Sequence, residues 1–319
     1  MDFFYVDVKP VICLMGPTAS GKTDLAIDLL SHFEFEIISV DSAMIYRNMD
    51  IGTAKPSSLI LQQAPHRLID THDPSEIYSV AEFRVDAIKA IEEILKKGRI
   101  PLLVGGTMLY FHILQQGISA LPPANSAVRQ QLEKDLKKSG LKKLHKRLAR
   151  LDPIAAQRIH SNDPQRILRA LEVAFVSGKT LTELQGISHR SHSRHLFINI
   201  ALFPEDRNKL HKTIENRFQN MLDLGFIEEV DKLFIRSDLH LNLPSIRTVG
   251  YRQIWNYLLG NMTSIEMQTR TIIATRQLAK RQLTWLRSWP TLNKLVSYEG
   301  ENVKKIIDLI KINLDKANF

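Results

Sequence analysis

The residues of this 319-residue chain best suited to chemistry begin at Gly16-Pro17-Thr18-Ala19-Ser20-Gly21-Lys22-Thr23, which fits G-x-x-x-x-G-K-[ST] at every fixed position. In such a loop the glycines let the backbone turn tightly and aim its N–H groups inward, the lysine adds a point charge, and the following helix presents its positive end. Thr23 has the hydroxyl that can sit on Mg²⁺. The chemistry is therefore that of phosphate groups, and ATP is their usual carrier. An ATPase or GTPase, however, needs a second carboxylate at the end of a neighbouring strand to hold the metal. The best apolar run, Ile100-Pro101-Leu102-Leu103-Val104, ends instead in Gly105-Gly106-Thr107. The acidic residue stands elsewhere: Asp41 follows Ile37-Ile38-Ser39-Val40 and opens DSAMIYRNMDIGTAKP. A glycine-rich turn that fits by chance would lack the strand and helix that flank this one.

Those residues need elements to carry them, and the pattern supplies a strand before each. VICLM (Val11 to Met15) precedes the loop, EIISV precedes Asp41 and IPLLV precedes Thr107, with helical patterns between, the longest VAEFRVDAIKAIEEILKK from Val80 to Lys97. Alternating strands and helices predict a parallel sheet with its ligands at the carboxyl ends of the strands. Gly16, Asp41 and Thr107 then converge on one edge. After Leu121-Pro122-Pro123 the character becomes helical without a convincing strand, and a strand resumes at His195 to Leu202, followed by a long helix from Asp206 to Leu224. The expected fold class is α/β: a parallel sheet like that of P-loop nucleoside triphosphate hydrolases, formed by residues 1–125 and 195–319, with an inserted all-helical domain over 126–194. GISHRSHSRH, Gly186 to His195, reads as an exposed hinge; its histidines have no acidic or cysteine companion for a metal.

Composition bounds the class. Forty-three basic residues against 34 acidic give a net charge of +9, which favours an anionic partner. No apolar run reaches the about 18 residues of a membrane span, the start lacks a signal-peptide pattern, and Cys13, the only cysteine, has no internal partner. A cytoplasmic protein without membrane association is expected. From Arg129 to Arg150 nine Lys or Arg stand against two acidic residues. That run is either a solvated helical face or a footprint on a nucleic-acid backbone.

Two further stretches point the same way. Asp163 and Pro164 read as the cap and first residue of a helix running to Ser177, with Gly178 as its stop. Arg166 and Arg169 in its first turns oppose the helix dipole, so they suit an anion reader, with Gln165 beside them; salt bridges to Glu172 are the alternative. Near the C-terminus Lys280-Arg281-Gln282-Leu283-Thr284-Trp285-Leu286-Arg287, and the turn Arg247-Thr248-Val249-Gly250-Tyr251-Arg252, interleave basic and aromatic residues as RNA binders do. Trp285 taken alone suits a core.

Taken together, the motifs resemble those of the bacterial tRNA dimethylallyltransferases, also called tRNA isopentenyltransferases. GPTASGKT, SVDSAMIYRNMDIGTAKP, LLVGGTMLY, NDPQRILRALEV, LPSIRTVGYRQ and TRQLAKRQLTWLR occur in that family's order from about Val11 to Pro290. The resemblance implies transfer of a dimethylallyl group from dimethylallyl diphosphate to N6 of the adenosine at tRNA position 37, on the 3′ side of the anticodon, with release of diphosphate. It implies that Gly16 to Thr23 hold the diphosphate, with Mg²⁺ as cofactor on Thr23, and that Asp41 is the general base. Lys22, Thr23 and Arg217 of the ENRF segment would stabilise the leaving group. Asp41-Ser42-Ala43-Met44 and Thr107 would contact the RNA around a flipped base. Gln165-Arg166-Ile167-Leu168-Arg169, Arg247 to Arg252 and Lys280 to Arg287 would hold the anticodon stem-loop, Arg129 is a further expected tRNA contact, and the expected assembly is a monomer.

Met44 stands where many relatives carry glutamine, and the Cys/His finger of eukaryotic relatives is missing, as in a bacterial-type enzyme. Two other classes share part of the pattern. A small-molecule nucleotide kinase accounts for the loop and Asp41 but not for the basic aromatic helix. A non-catalytic, nucleotide-switched RNA-binding module accounts for the basic insert but not for Asp41.

Overall fold

The computed structural model describes residues 10–119, 121–187 and 195–317. It separates into two compact units, Met1–Gln115 with Ser193–Phe319, and Gln116–His192. Most of the expected hinge, residues 188–194, lies outside the described residues.

The first unit is built on six parallel strands: β1 Val11–Met15, β2 Phe35–Val40, β3 His66–Arg67, β4 Ile100–Gly105, β5 Phe197–Phe203 and β6 Asn293–Val296. Their spatial order is β3-β2-β4-β1-β5-β6. Successive residues of a strand point to opposite faces, and here both faces are covered. Val11, Cys13 and Met15 enter one apolar cluster with Val40, Leu103 and Phe111. Ile12 and Leu14 enter another with Leu25, Ile37 and Ile306. This is why the strands read as unbroken apolar runs. β3 and β6 escape that signal because one has two residues and the other alternates half-buried Asn293 and Leu295 with exposed Lys294 and Val296.

Register aligns the strand ends. Met15 pairs with Gly105 and with Ala201, and Val40 pairs with Gly105, so the chain leaves β1, β2 and β4 at one level. The phosphate loop, Asp41 and Thr107 begin there.

The second unit has its own core, in which Leu132, Leu144, Leu148, Ile167 and Leu171 from three helices meet. The helix Pro164–Ser177 has Asp163 as its cap, its carboxylate accepting from Arg166 N–H, and ends at left-handed Gly178, as the sequence predicts. Among the described residues this unit contains no strand, and none of the described helices in either unit is long and apolar enough to cross a membrane.

Candidate active site

Gly16 to Thr23 connect β1 to the helix Lys22–Leu29, whose cap is Gly21 at φ +78°. Ala19 is also left-handed, at φ +60°. Lys22 folds back along the loop, its Nζ donating to Pro17 O at 2.6 Å and Ser20 Oγ at 3.3 Å. Burial, assisted by the facing Arg217 cation and opposed by the Asp41 carboxylate, pushes the Lys22 ammonium down to about 7. Arg217, from the helix Arg207–Asp223, is also lowered by burial and held up by Asp41. Three segments far apart in sequence thus bring two cations and one carboxylate together.

Asp41 is tied into the turn after β2. Its Oδ1 accepts from the N–H groups of Ala43 at 2.8 Å and Met44 at 3.4 Å. Thr107 Oγ1 accepts from Ser42 N–H at 3.1 Å, and Thr107 N–H donates to Val40 O at 3.2 Å, which locks the β4 exit to the β2 exit. Both sit beside the phosphate loop because of Gln282, from the helix Ser264–Arg287. Its Oε1 accepts from Thr18 N–H at 2.9 Å and its Nε2 donates to Gly106 O at 2.9 Å. A hydrogen-bonded chain therefore runs from Thr18 through Gln282, the Gly106–Thr107 turn and Ser42 to Asp41.

The loop beyond Asp41 has a second anchor that the sequence does not announce. Glu229 accepts from the N–H groups of Asp50, Ile51 and Gly52 at 2.9, 2.7 and 3.1 Å, and from the Tyr251 hydroxyl at 2.5 Å. Gly52 has no room for a Cβ, which would collide with the Phe226 and Tyr251 rings. Glu229→Ala should leave these donors without their charged acceptor and lower the unfolding free energy by roughly 1.5–3 kcal/mol, read by urea denaturation.

These segments enclose a cavity of about 180 Å³. Thr18, Lys22, Thr23, Asp41 and Arg217 line it with polar groups, and Ile214, Phe218, Met221, Phe226 and Leu278 line it with apolar ones. It suits a ligand that is anionic at one end and a short hydrocarbon at the other. Among the described residues no cluster of three His, Cys, Asp or Glu could hold a metal. The donors beside the loop are the Thr23 hydroxyl and the Asp41 carboxylate. Such a sparse set fits Mg²⁺, which keeps most of its waters and shares phosphate oxygens, and does not fit a metal that needs a full protein cage.

The residues expected to meet RNA divide by exposure. Arg247, Arg252, Lys280, Arg281, Thr284 and Arg287 are exposed, and Thr248 and Val249 half-buried. Trp285 is 37% exposed and near His112, with ring centroids 5.7 Å apart, so it is not the core residue its type suggests. Tyr251, Gly250, Gln282, Leu283 and Leu286 are buried, and the first and third are committed as described above. No RNA base can stack on Tyr251 as placed. In the second unit Gln165, Arg166 and Arg129 are exposed while Ile167 and Leu168 belong to the core. Arg169 departs from the anion-reader expectation: its guanidinium donates to Glu172 Oε2 at 2.9 Å and Pro122 O at 2.6 Å. Glu172 is 1% exposed and also accepts from Asn125 N–H, so Arg169 neutralises a carboxylate that staples the Pro122–Asn125 segment to the helix.

Comparison with known proteins agrees with this geometry. Residues 44–289 match the family described as IPP transferase. The tRNA isopentenylpyrophosphate transferase of Bacillus halodurans is 33% identical, with a TM-score of 0.72 over 97% of this chain and 98% of that one. The tRNA delta(2)-isopentenylpyrophosphate transferase of Staphylococcus epidermidis is 31% identical, with a TM-score of 0.68 over 97% and 99%. A eukaryotic dimethylallyltransferase, at 24% identity and a TM-score of 0.79 over 97% of this chain and 80% of that one, shares the fold. With three-quarters of its length matched by the family and a third of its residues shared with a full-length relative, this chain belongs to the IPP transferase family.

Proposed function

We propose that this chain transfers the dimethylallyl group of dimethylallyl diphosphate to N6 of an adenosine in tRNA, at position 37 on the 3′ side of the anticodon. What carries this is a cavity in which a phosphate-type loop, a carboxylate and an apolar wall face one ligand-sized space. The loop N–H groups, Lys22 and Arg217 take the diphosphate, and the wall of Phe218, Met221 and Leu278 takes the five-carbon group. The bond from N6 to the allylic carbon forms as that carbon's bond to the diphosphate oxygen breaks. N6 is a weak nucleophile because its lone pair is delocalised into the ring, so its proton must leave as the bond forms, and Asp41 accepts it. Lys22 and Arg217 stabilise the charge that collects on the departing diphosphate. Mg²⁺ held by the Thr23 hydroxyl would supply further neutralisation of that charge. The adenine must be unstacked to reach Asp41, with Ser42, Met44 and Thr107 around it.

The anticodon stem-loop is held by exposed cations, Arg166 and Arg129 in the helical unit and Arg247, Arg252, Lys280, Arg281 and Arg287 in the other. The enzyme works as a monomer in the cytoplasm, where its tRNA substrate is. Arg166 and Arg169 separate the two roles of basic residues. Arg166→Ala should reduce the log–log salt slope of tRNA binding by about 0.7–0.9, the loss of one phosphate contact. Arg169→Ala should instead destabilise the helical unit by roughly 1–3 kcal/mol, because it leaves Glu172 buried without its cation. Filter binding across a salt series and thermal unfolding distinguish them.

The activity itself is tested with labelled dimethylallyl diphosphate, ATP and bulk tRNA. Label should enter tRNA with ATP neither consumed nor required. ADP formed in proportion to an acceptor would make the protein a kinase, and tRNA binding without transfer would make it a binding module.

A further inference from the structure

The C-terminal segment reaches the phosphate loop from beyond the residues matched by the family, which end at 289. After β6 the chain turns at Tyr298, whose backbone is left-handed at φ +63°, a conformation that a residue with a bulky side chain adopts only when its surroundings impose it. The turn is pinned on both sides. Ser297 N–H donates to Phe203 O at 2.7 Å, and the Asn302 side chain, 3% exposed, donates to Val296 O at 2.7 Å.

So held, the Tyr298 hydroxyl donates to Ala19 O at 3.0 Å, and its ring lies against Gly21, where a Cβ would come within 2.8 Å of Cε1. Ala19 and Gly21 are the two left-handed residues of the loop. Their backbone sets the direction of the N–H groups that follow, and Ala19, with a Cβ, does not hold φ +60° at no cost. The Asp24 and Arg217 charges are close enough to act on the same hydroxyl. Tyr298 itself is 64% exposed, so it covers the outer flank of the loop and contributes little to the core.

We propose that Tyr298 is a positioning residue for diphosphate binding, holding the Ala19–Gly21 backbone in the anion-receiving conformation. The proposal rests on the diphosphate reading of the loop. Its role is in binding: once substrate saturates the loop, the rate of prenyl transfer is set by Asp41, Lys22 and Arg217, which Tyr298 does not replace.

The test is calorimetric titration of the full chain with inorganic diphosphate in the presence of Mg²⁺, followed by steady-state kinetics with dimethylallyl diphosphate. Tyr298→Phe, which keeps the ring and loses the hydroxyl, should weaken diphosphate by about 2- to 10-fold, the scale of one neutral hydrogen bond. Tyr298→Ala should weaken it further, and KM for the prenyl diphosphate should rise in step while kcat and tRNA affinity stay within about 2-fold. Thermal unfolding should barely move, as expected for an exposed side chain. Equal diphosphate affinity in all three proteins would overturn the proposal, and so would a fall in tRNA affinity or melting temperature as large as the loss of diphosphate. Because the first arm reads diphosphate without transfer, a chain that binds diphosphate through Tyr298 but fails to prenylate tRNA would sink the activity reading and leave this one standing.

Discussion

Asp41→Asn should slow the single-turnover transfer of the dimethylallyl group by ~10²–10⁴-fold, the usual scale for losing a general base, while binding of tRNA and of dimethylallyl diphosphate stays near wild type. The expectation follows from how Asp41 is held. Its Oδ1 accepts the Ala43 and Met44 N–H groups, and an asparagine carbonyl can take over both bonds, so the turn after β2 should keep its shape. What the amide cannot do is accept the proton of N6. The turn bonds to Ala43 and Met44 would by themselves suit a capping role, and a cap alone predicts that Asp41→Asn transfers at nearly the wild-type rate. A loss restored by excess Mg²⁺ would instead make Asp41 a metal-ordering group. Rapid-quench rates at saturating substrates, with and without added Mg²⁺, separate the three.

Lys22→Ala should differ in kind, weakening the prenyl diphosphate as well as slowing transfer by ~10²–10³-fold, because the charge serves the bound anion and the leaving group alike. Its pH dependence can be assigned a sign. In the free protein burial and Arg217 hold the Lys22 ammonium at about 7, below the usual lysine range, so above that pH the group is largely neutral. A bound diphosphate favours the charged form and draws the proton back. Affinity contributed by Lys22 should therefore be full below about pH 7 and decline as pH rises through it. At pH 8 binding should take up close to one proton, read from the dependence of calorimetric heat on buffer ionisation, and the uptake should vanish in Lys22→Ala. Proton release, or the same uptake in the variant, would contradict the assignment.

Much of the site is legible in the sequence because its chemistry sits where strands end. The loop after Met15, Asp41 after Val40 and Thr107 after the Gly105-Gly106 exit are each marked by an apolar run, and a parallel sheet carries such exits to one edge. The helix Pro164–Ser177 is legible for a different reason, since Asp163, Pro164 and Gly178 state its limits locally. The residues that hold the site together carry no local mark. Gln282 meets Thr18 across 264 positions, Glu229 meets Gly52 across 177, and Tyr298 meets Ala19 across 279. All three act on backbone groups, which no side-chain pattern encodes. A partial signal was present for Gln282: Ala279, Gln282, Leu283 and Leu286 fall at helical spacing, so a glutamine on that face had to find polar partners inside. Lys280 to Arg287 therefore has two faces, with Lys280, Arg281, Thr284 and Arg287 exposed and Gln282, Leu283 and Leu286 buried. At Arg169 the structure takes the salt-bridge alternative, because a helix that buries Glu172 needs a cation beside it, and the pair at i, i+3 answers that need before any anion from outside.

If one cavity joins a prenyl diphosphate to a tRNA adenosine, the site of the product on the tRNA shows it. tRNA lacking the modification is incubated with the chain, Mg²⁺ and dimethylallyl diphosphate without ATP, then digested and examined by fragment mass spectrometry alongside an assay of released diphosphate. A single dimethylallyl group is expected on N6 of the adenosine immediately 3′ of the anticodon, with one diphosphate released for each adenosine modified. Unmodified tRNA under these conditions, or a prenyl group on any other atom, would contradict it.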